Sequence, residues 1–135
     1  MANAYFNVPI ATNEPVKGYA PGSKEKEELL AAYKELKSKK IEIPMVIGGK
    51  AVTSDAKVSI HPPHDHKHEL GFYHKGNTQY VHQAIEAALE ARKTWANTPW
   101  QDRAAIFLKA ADLLAGPYRA RMNAATMLCQ SKNAF

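Results

Sequence analysis

Apolar and polar residues change rhythm twice along this chain, and the changes divide it into three stretches. Up to Gly22 there is no period, because Pro9, Pro15, Gly18, Pro21 and Gly22 interrupt every run; this predicts an extended arm over 1–22. From Ser23 a helical period begins in "KEKEELLAAYKELKSKK". Leu29, Tyr33 and Leu36 recur at i, i+4 and i+7, a narrow apolar stripe that suits a surface helix resting on one neighbour. Ser23 is its expected N-cap. Glu25, Glu27 and Glu28 open the helix and Lys37, Lys39 and Lys40 close it, as the helix dipole favours.

The rhythm then shortens to that of strands. Met45 to Ile47, the pair Gly48–Gly49, and Ala51–Val52 predict a tight hairpin, since both turn positions need positive φ. A second extended pair, "AKVSI" and "HELGFY", is expected to turn at Pro62–Pro63. After Asn77 the period of 3.6 returns, with Val81, Ile85, Ala88, Leu89 and Trp95 on one face. Thr98-Pro99-Trp100-Gln101 has the order of a capping box, with Pro at the first helical position. The helix it would open carries Ile106, Leu108, Leu113 and Leu114 around much of its circumference, which predicts burial. It should stop at Gly116–Pro117, and a last helix should follow from Tyr118. The order is α+β: arm, helix, hairpins, then three helices.

Composition changes this picture little. A chain of 135 residues with 45% hydrophobic and 23% charged residues can fold around a core without disulfides, and its single cysteine could form none internally. No apolar run is long enough to span a bilayer. "MANAYFNVPIATNEP" lacks the features of a secretory signal or an organelle presequence, so the expected location is the cytoplasm. The net charge of +5 raises nucleic-acid binding. The excess gathers at helix ends, however, with no base-stacking platform beside it, so neither a nucleic acid nor a membrane is expected as partner.

The candidate chemistry is concentrated in "HPPHDHKHELGFYH", which holds five of the 6 histidines. In an extended strand His64, His66 and His68 would face one way and could offer three imidazoles to a zinc ion. Pro62–Pro63 break the strand just before them, Asp65 would face away, and no second ligand group waits elsewhere. Exposed histidines titrating near neutrality are therefore the preferred reading, with a stand-alone helical module holding metal through His64, His66 and His68 as the alternative. Cys129 falls near the C-terminal end of the last helix, where the dipole disfavours a thiolate; a small buried or half-buried residue is expected there. No glycine pattern matches a dinucleotide or phosphate loop. By its own chemistry the chain presents no catalytic, cofactor-binding or metal residue.

Two blocks carry a resemblance. "NEPVKGYAPGSKEKEELLAAYKELKSKKIEIPMVIGGKAV" and "AIEAALEARKTWANTPWQDRAAIFLKAADLLAGPYRARMNAATMLCQSKNAF" resemble the N-terminal part of the aldehyde dehydrogenase superfamily. Within it they are similar to the branch that oxidises L-glutamate γ-semialdehyde to L-glutamate in proline degradation. The general marks are "ARKTW", the Pro99–Arg103–Ala104–Ile106 corner and "KAADLL"; the "NEPV…GS" opening and "RAAIFLKAADLLAGPYR" are the specific ones. Ser131 departs from the pattern, standing before Lys132 where the family often has Gly. The resemblance implies an α/β parent of modified Rossmann type that uses NAD and works as a homo-oligomer. Residues 23–135 would be the incomplete first part of its NAD-binding domain. It further implies that the catalytic cysteine, the oxyanion asparagine and the cofactor loop lie beyond Phe135. Cys129 does not match the catalytic cysteine, and these 135 residues alone are expected to be inactive.

Overall fold

The computed structural model describes residues 7–135. It contains, in order, α1 (Lys24–Ser38), β1 (Ile41–Ile43), β2 (Met45–Ile47), β3 (Lys50–Val52), β4 (Lys57–Ile60), β5 (Gly71–His74), α2 (Thr78–Trp95), α3 (Trp100–Ala115) and α4 (Arg119–Gln130). Residues 7–20 form no regular element and a turn follows at 21–22; the first six residues of the expected arm lie outside the described ones.

The stripe on α1 does meet a neighbour, and the neighbour is α4. Leu29 is buried there with Ala124, and Ala32, Tyr33, Leu36 and Met127 pack around them. The third member of this core is Tyr19, delivered by the aperiodic arm. Its hydroxyl accepts a hydrogen bond from Asn123 Nδ2 at 2.8 Å. Farther along, Arg119 Nη1 donates to the Pro15 carbonyl at 2.8 Å and holds the arm on the same helix. Ser23 occupies the N-cap position of α1, but its side chain makes no cap bond. The helix ends at Ser38, so Lys39 and Lys40 lie past its last turn, where they pair with Glu35 and Glu69.

β2 and β3 form the expected hairpin, with Met45 opposite Val52 and Ile47 opposite Lys50. Gly48 and Gly49 take φ of 58° and 75°, the two left-handed positions that a two-residue turn of this hand demands. β4 and β5 pair antiparallel as anticipated. β1 is an addition: it runs parallel to β5, giving the strand order β1-β5-β4. Pro44 separates it from β2 and lets one extended run serve two sheets.

Two helical expectations need correction. The capping box at Thr98 does not form; Thr98 Oγ1 donates back to the Thr94 carbonyl, and Pro99 is the residue that precedes α3. Arg92 and Lys93 do close α2 as the dipole favours, and Asn77 opens it, accepting from the Tyr80 N–H at 3.2 Å. The burial expected for α3 is also absent: Ile106, Leu108 and Leu114 are about half exposed, and Phe107 is 69% exposed. The apolar sequence of α3 is real, but within these residues only one side of it meets α4. Finally, α4 ends at Ser131 with φ 54° and ψ 30°. This left-handed position is the one that favours glycine after a helix, which gives the physical reason why Ser131 is a departure.

Gly71 is the least replaceable residue of the sheet. Its φ is +146°, and an added Cβ would lie 2.0 Å from the Ile41 carbonyl oxygen, on the strand beside it. Replacing Gly71 by Ala is therefore expected to force β1 off β5 and to cost about 2–4 kcal/mol of stability in urea unfolding. An unchanged midpoint would show that the close approach is not needed.

Candidate functional site

The histidine segment does not form the strand that would align its imidazoles. After Pro62, which is fully buried, the chain makes two successive turns, Asp65 N–H to the Pro62 carbonyl and His68 N–H to the Asp65 carbonyl, both at 3.1 Å. The imidazoles consequently part. His64 Nδ1 lies 2.8 Å from Ser131 Oγ, at the end of α4. His68 Nε2 donates to the Lys37 carbonyl at 2.9 Å, in the last turn of α1. His61 Nδ1 donates to the His68 carbonyl, and His66 stays exposed. Among the described residues no group of three His, Cys, Asp or Glu side chains is arranged to hold a metal ion. The segment works instead as a strap across two helix ends, with His68 donating to a carbonyl in the last turn of α1 and His64 held by the Ser131 side chain after α4. Ser131 keeps its left-handed geometry, with its hydroxyl engaged by His64.

Ion pairs fasten the strap. Lys40 Nζ meets Glu69 at 3.1 Å, and Lys37 reaches Asp65 at 4.0 Å. The hydrogen bond from Lys40, together with its charge, lowers the pKa of Glu69; Lys39, and then Arg121, do the same for Glu35 on α1. A depressed carboxylate contributes stability above its unfolded pKa and loses it as pH falls. The contribution here is small, because these carboxylates are open to solvent.

Periodicity did not reveal His74, the buried histidine. Its Nε2 donates to Glu42 Oε1 at 2.6 Å, across from β5 to β1, and its Nδ1 faces Ser54 in the link between β3 and β4. The one available signal was its place in "GFYH", two residues from Phe72 and thus on the same face of the strand. Cys129, by contrast, is exposed rather than buried. It is one of the residues lining an apolar recess with Leu36, Ile41, Ile43, Ile60 and Leu70.

The most extensive feature is an uncovered apolar surface. Val81, Ile85, Leu89 and Trp95 of α2 are exposed along the one face that periodicity groups them on, and α2 and α3 contain no buried residue. Between the arm and α3 lies a groove of about 640 Å³, lined by Val8, Pro9, Trp100, Ala104, Phe107 and Leu108. The chain exposes 10703 Å², against about 7000 Å² for a compact monomer of its mass. Part of the excess is the arm, and the rest includes these helices. What this arrangement can do is present a face to another layer of protein; it brings no nucleophile, base or oxyanion donor together.

The sequence profile of the aldehyde dehydrogenase family matches residues 51–133. The chain belongs to the aldehyde dehydrogenase family. It is 45% identical over 133 residues to delta-1-pyrroline-5-carboxylate dehydrogenase of Agaricus bisporus, covering 98% of this chain and 24% of that protein. The mitochondrial delta-1-pyrroline-5-carboxylate dehydrogenase of Homo sapiens is 45% identical over 121 residues, or 89% of this chain and 21% of the human one. The crystal structure of the Mycobacterium tuberculosis delta-pyrroline-5-carboxylate dehydrogenase bound with NAD superposes with a TM-score of 0.90 at 41% identity, covering 94% of this chain and 24% of that one. A 1-pyrroline-5-carboxylate dehydrogenase from Thermus with bound NAD gives 0.81 at 25% identity, over 91% of this chain and 24% of that one. The chain thus spans about a quarter of the length of these aldehyde dehydrogenase relatives.

Two outcomes follow from this geometry. His68→Ala removes a donor from the end of α1 and is expected to cost about 1 kcal/mol in thermal or urea unfolding, whereas His66→Ala should change stability by less than about 0.5 kcal/mol; equal losses would deny the strap its selective role. Isolated as 135 residues, the chain is expected to bind a hydrophobic dye and to self-associate through the open faces of α2 and α3. A sharply melting monomer without dye binding would count against an uncovered docking face.

Proposed function

We propose that this chain is the opening section of the NAD-binding domain of a delta-1-pyrroline-5-carboxylate dehydrogenase. The whole enzyme would oxidise L-glutamate γ-semialdehyde, the open form of pyrroline-5-carboxylate, to L-glutamate with NAD as hydride acceptor. The observation that carries this reading is the agreement of fold and sequence together: 41% identity at a TM-score of 0.90 over 94% of the chain, with an enzyme of that name. The fungal and animal relatives of the same name support it over nearly the same residues.

In this reading the role of these residues is structural support. NAD would supply hydride acceptance in the whole enzyme. The glycine turn that would cradle its pyrophosphate has no counterpart among the 7 glycines here, which serve the hairpin turn, the strand contact at Gly71 and helix boundaries. Nucleophilic attack by a thiolate and stabilisation of the oxyanion would fall to parts of the polypeptide beyond this chain. Cys129 would not fill that place in this reading, because it stands in the last turn of α4, where the helix dipole disfavours a thiolate. The faces of α2 and α3 would pack on the cofactor-binding layer. Assembly of the whole polypeptide into a homo-oligomer is part of the same proposal.

The test is a rate comparison. The whole polypeptide, supplied with NAD and pyrroline-5-carboxylate, is expected to form NADH, with kcat/KM about a hundredfold or more above that for acetaldehyde, because a site built to pair the substrate's charged groups rejects an aldehyde that lacks them. The 135-residue chain by itself is expected to form none. Equal rates for the two aldehydes would overturn the substrate assignment, and turnover by the isolated chain would overturn the supporting role.

A further inference from the structure

His74 is held in a way that accommodates either of two protonation states. Its side chain is 1% exposed. Nε2 meets the Glu42 carboxylate, which can only accept, so that nitrogen carries a proton. Nδ1 lies 2.8 Å from the Ser54 amide nitrogen and 2.7 Å from the Ser54 carbonyl oxygen. One is a donor and the other an acceptor, and a single ring nitrogen serves only one of them at a time. As a neutral ring His74 accepts from the Ser54 N–H; as an imidazolium it donates to the Ser54 carbonyl. Both states find a partner without moving the ring.

We propose that His74 is a proton-operated clasp that exchanges the Ser54 N–H for the Ser54 carbonyl as it gains a proton. The two Ser54 groups belong to different peptide units, so the exchange changes how the β3–β4 link is held. That link is otherwise tied by Ser54 Oγ to the Lys75 carbonyl at 2.9 Å, by the Lys75 N–H to the Ala56 carbonyl at 2.8 Å, and by Tyr80 Oη of α2 to the Thr53 carbonyl at 3.3 Å. The charged groups around the ring come from each element packed on it. Glu42 on β1 is in contact. Lys57 on β4 is the register partner of His74, and its Nζ sits 4.7 Å over the ring of Phe72, which meets the imidazole edge-on. Lys75 follows on β5, and Asp55 lies in the link. Glu42 offsets the charge that a proton brings, while Lys57 works against it.

The clasp concerns β1, β5 and the link, and does not depend on the enzyme assignment. It is tested on the whole polypeptide by hydrogen exchange with mass spectrometry, following residues 53–56 between pH 5 and 8, with rates corrected for their intrinsic pH dependence. Protection at Ser54 is expected to fall by about tenfold as pH drops and the N–H loses its acceptor. In Glu42→Gln, whose side chain is half exposed and replaceable, the same fall should move to lower pH, because the compensating charge is gone. In His74→Gln it should disappear. Flat protection in the unmodified protein, or a transition that stays in place in Glu42→Gln, would overturn the proposal; if His74→Gln fails to fold, the Glu42→Gln comparison decides alone.

Discussion

The close contact between α1 and α4 is the joint from which the rest of the structure hangs, and it depends on a small side chain. Ala124 is fully buried where the helices meet, packed with Leu29, and one turn farther along α4 Leu128 is closed off as well; each leucine is 2% exposed. Burying two leucines to that extent contributes about 2 kcal/mol apiece. Two irregular parts of the chain are then fastened to these helices. The arm reaches α4 through Tyr19 and through the Pro15 carbonyl. The histidine strap reaches the ends of both. The sheet closes against the same pair, with Leu36, Leu70 and Leu128 around one recess.

A joint at one end has a consequence at the other. α2 and α3, 18 and 16 residues long, extend away from it and bury no side chain completely. Helices of that length are only marginally stable in water on their own, and packing of an apolar stripe normally supplies the remainder. The stripes are present, in Val81, Ile85 and Leu89 and again in Ile106 and Phe107, yet they face outward. The excess of exposed area is the physical counterpart of these outward stripes.

Much of this was legible in the sequence where a local rule decides it. The Gly48–Gly49 turn needs nothing beyond its own two residues, and the stripe on α1 names its buried face correctly. Periodicity reports that a face is apolar but not what lies over it, which is why α3 reads as buried and is not. Cys129 fails in the same way: its place near a helix end does not say whether anything covers it, and it is exposed. The capping box at Thr98 had the right letters, but the turn ending α2 took the hydroxyl first. Tyr19 was hidden because an aperiodic arm gives no signal for which of its residues turns inward. The parallel pairing of β1 with β5 joins residues about thirty positions apart and had no local mark. The alternation of His64, His66 and His68 would have mattered only in a strand, and two turns removed it. The family resemblance was readable from longer word-like blocks rather than from any local rule.

The histidines then have a common physical role that composition alone could not suggest. Backbone groups inside helices and sheets satisfy one another, whereas those at the ends must find partners elsewhere. An imidazole stands at three such ends among the described residues: His68 meets the Lys37 carbonyl in the last turn of α1, His74 meets the Ser54 backbone in the link between β3 and β4, and His64 meets the Ser131 hydroxyl, a side chain, at the left-handed end of α4. A lysine could donate at these places but could not accept, and a serine is too short to cross between elements. Imidazole is rigid, reaches across a gap, and offers a polar atom on each of two edges. The richness in histidine that first suggests a metal is thus accounted for by three ordinary structural needs, each at a point where regular secondary structure stops.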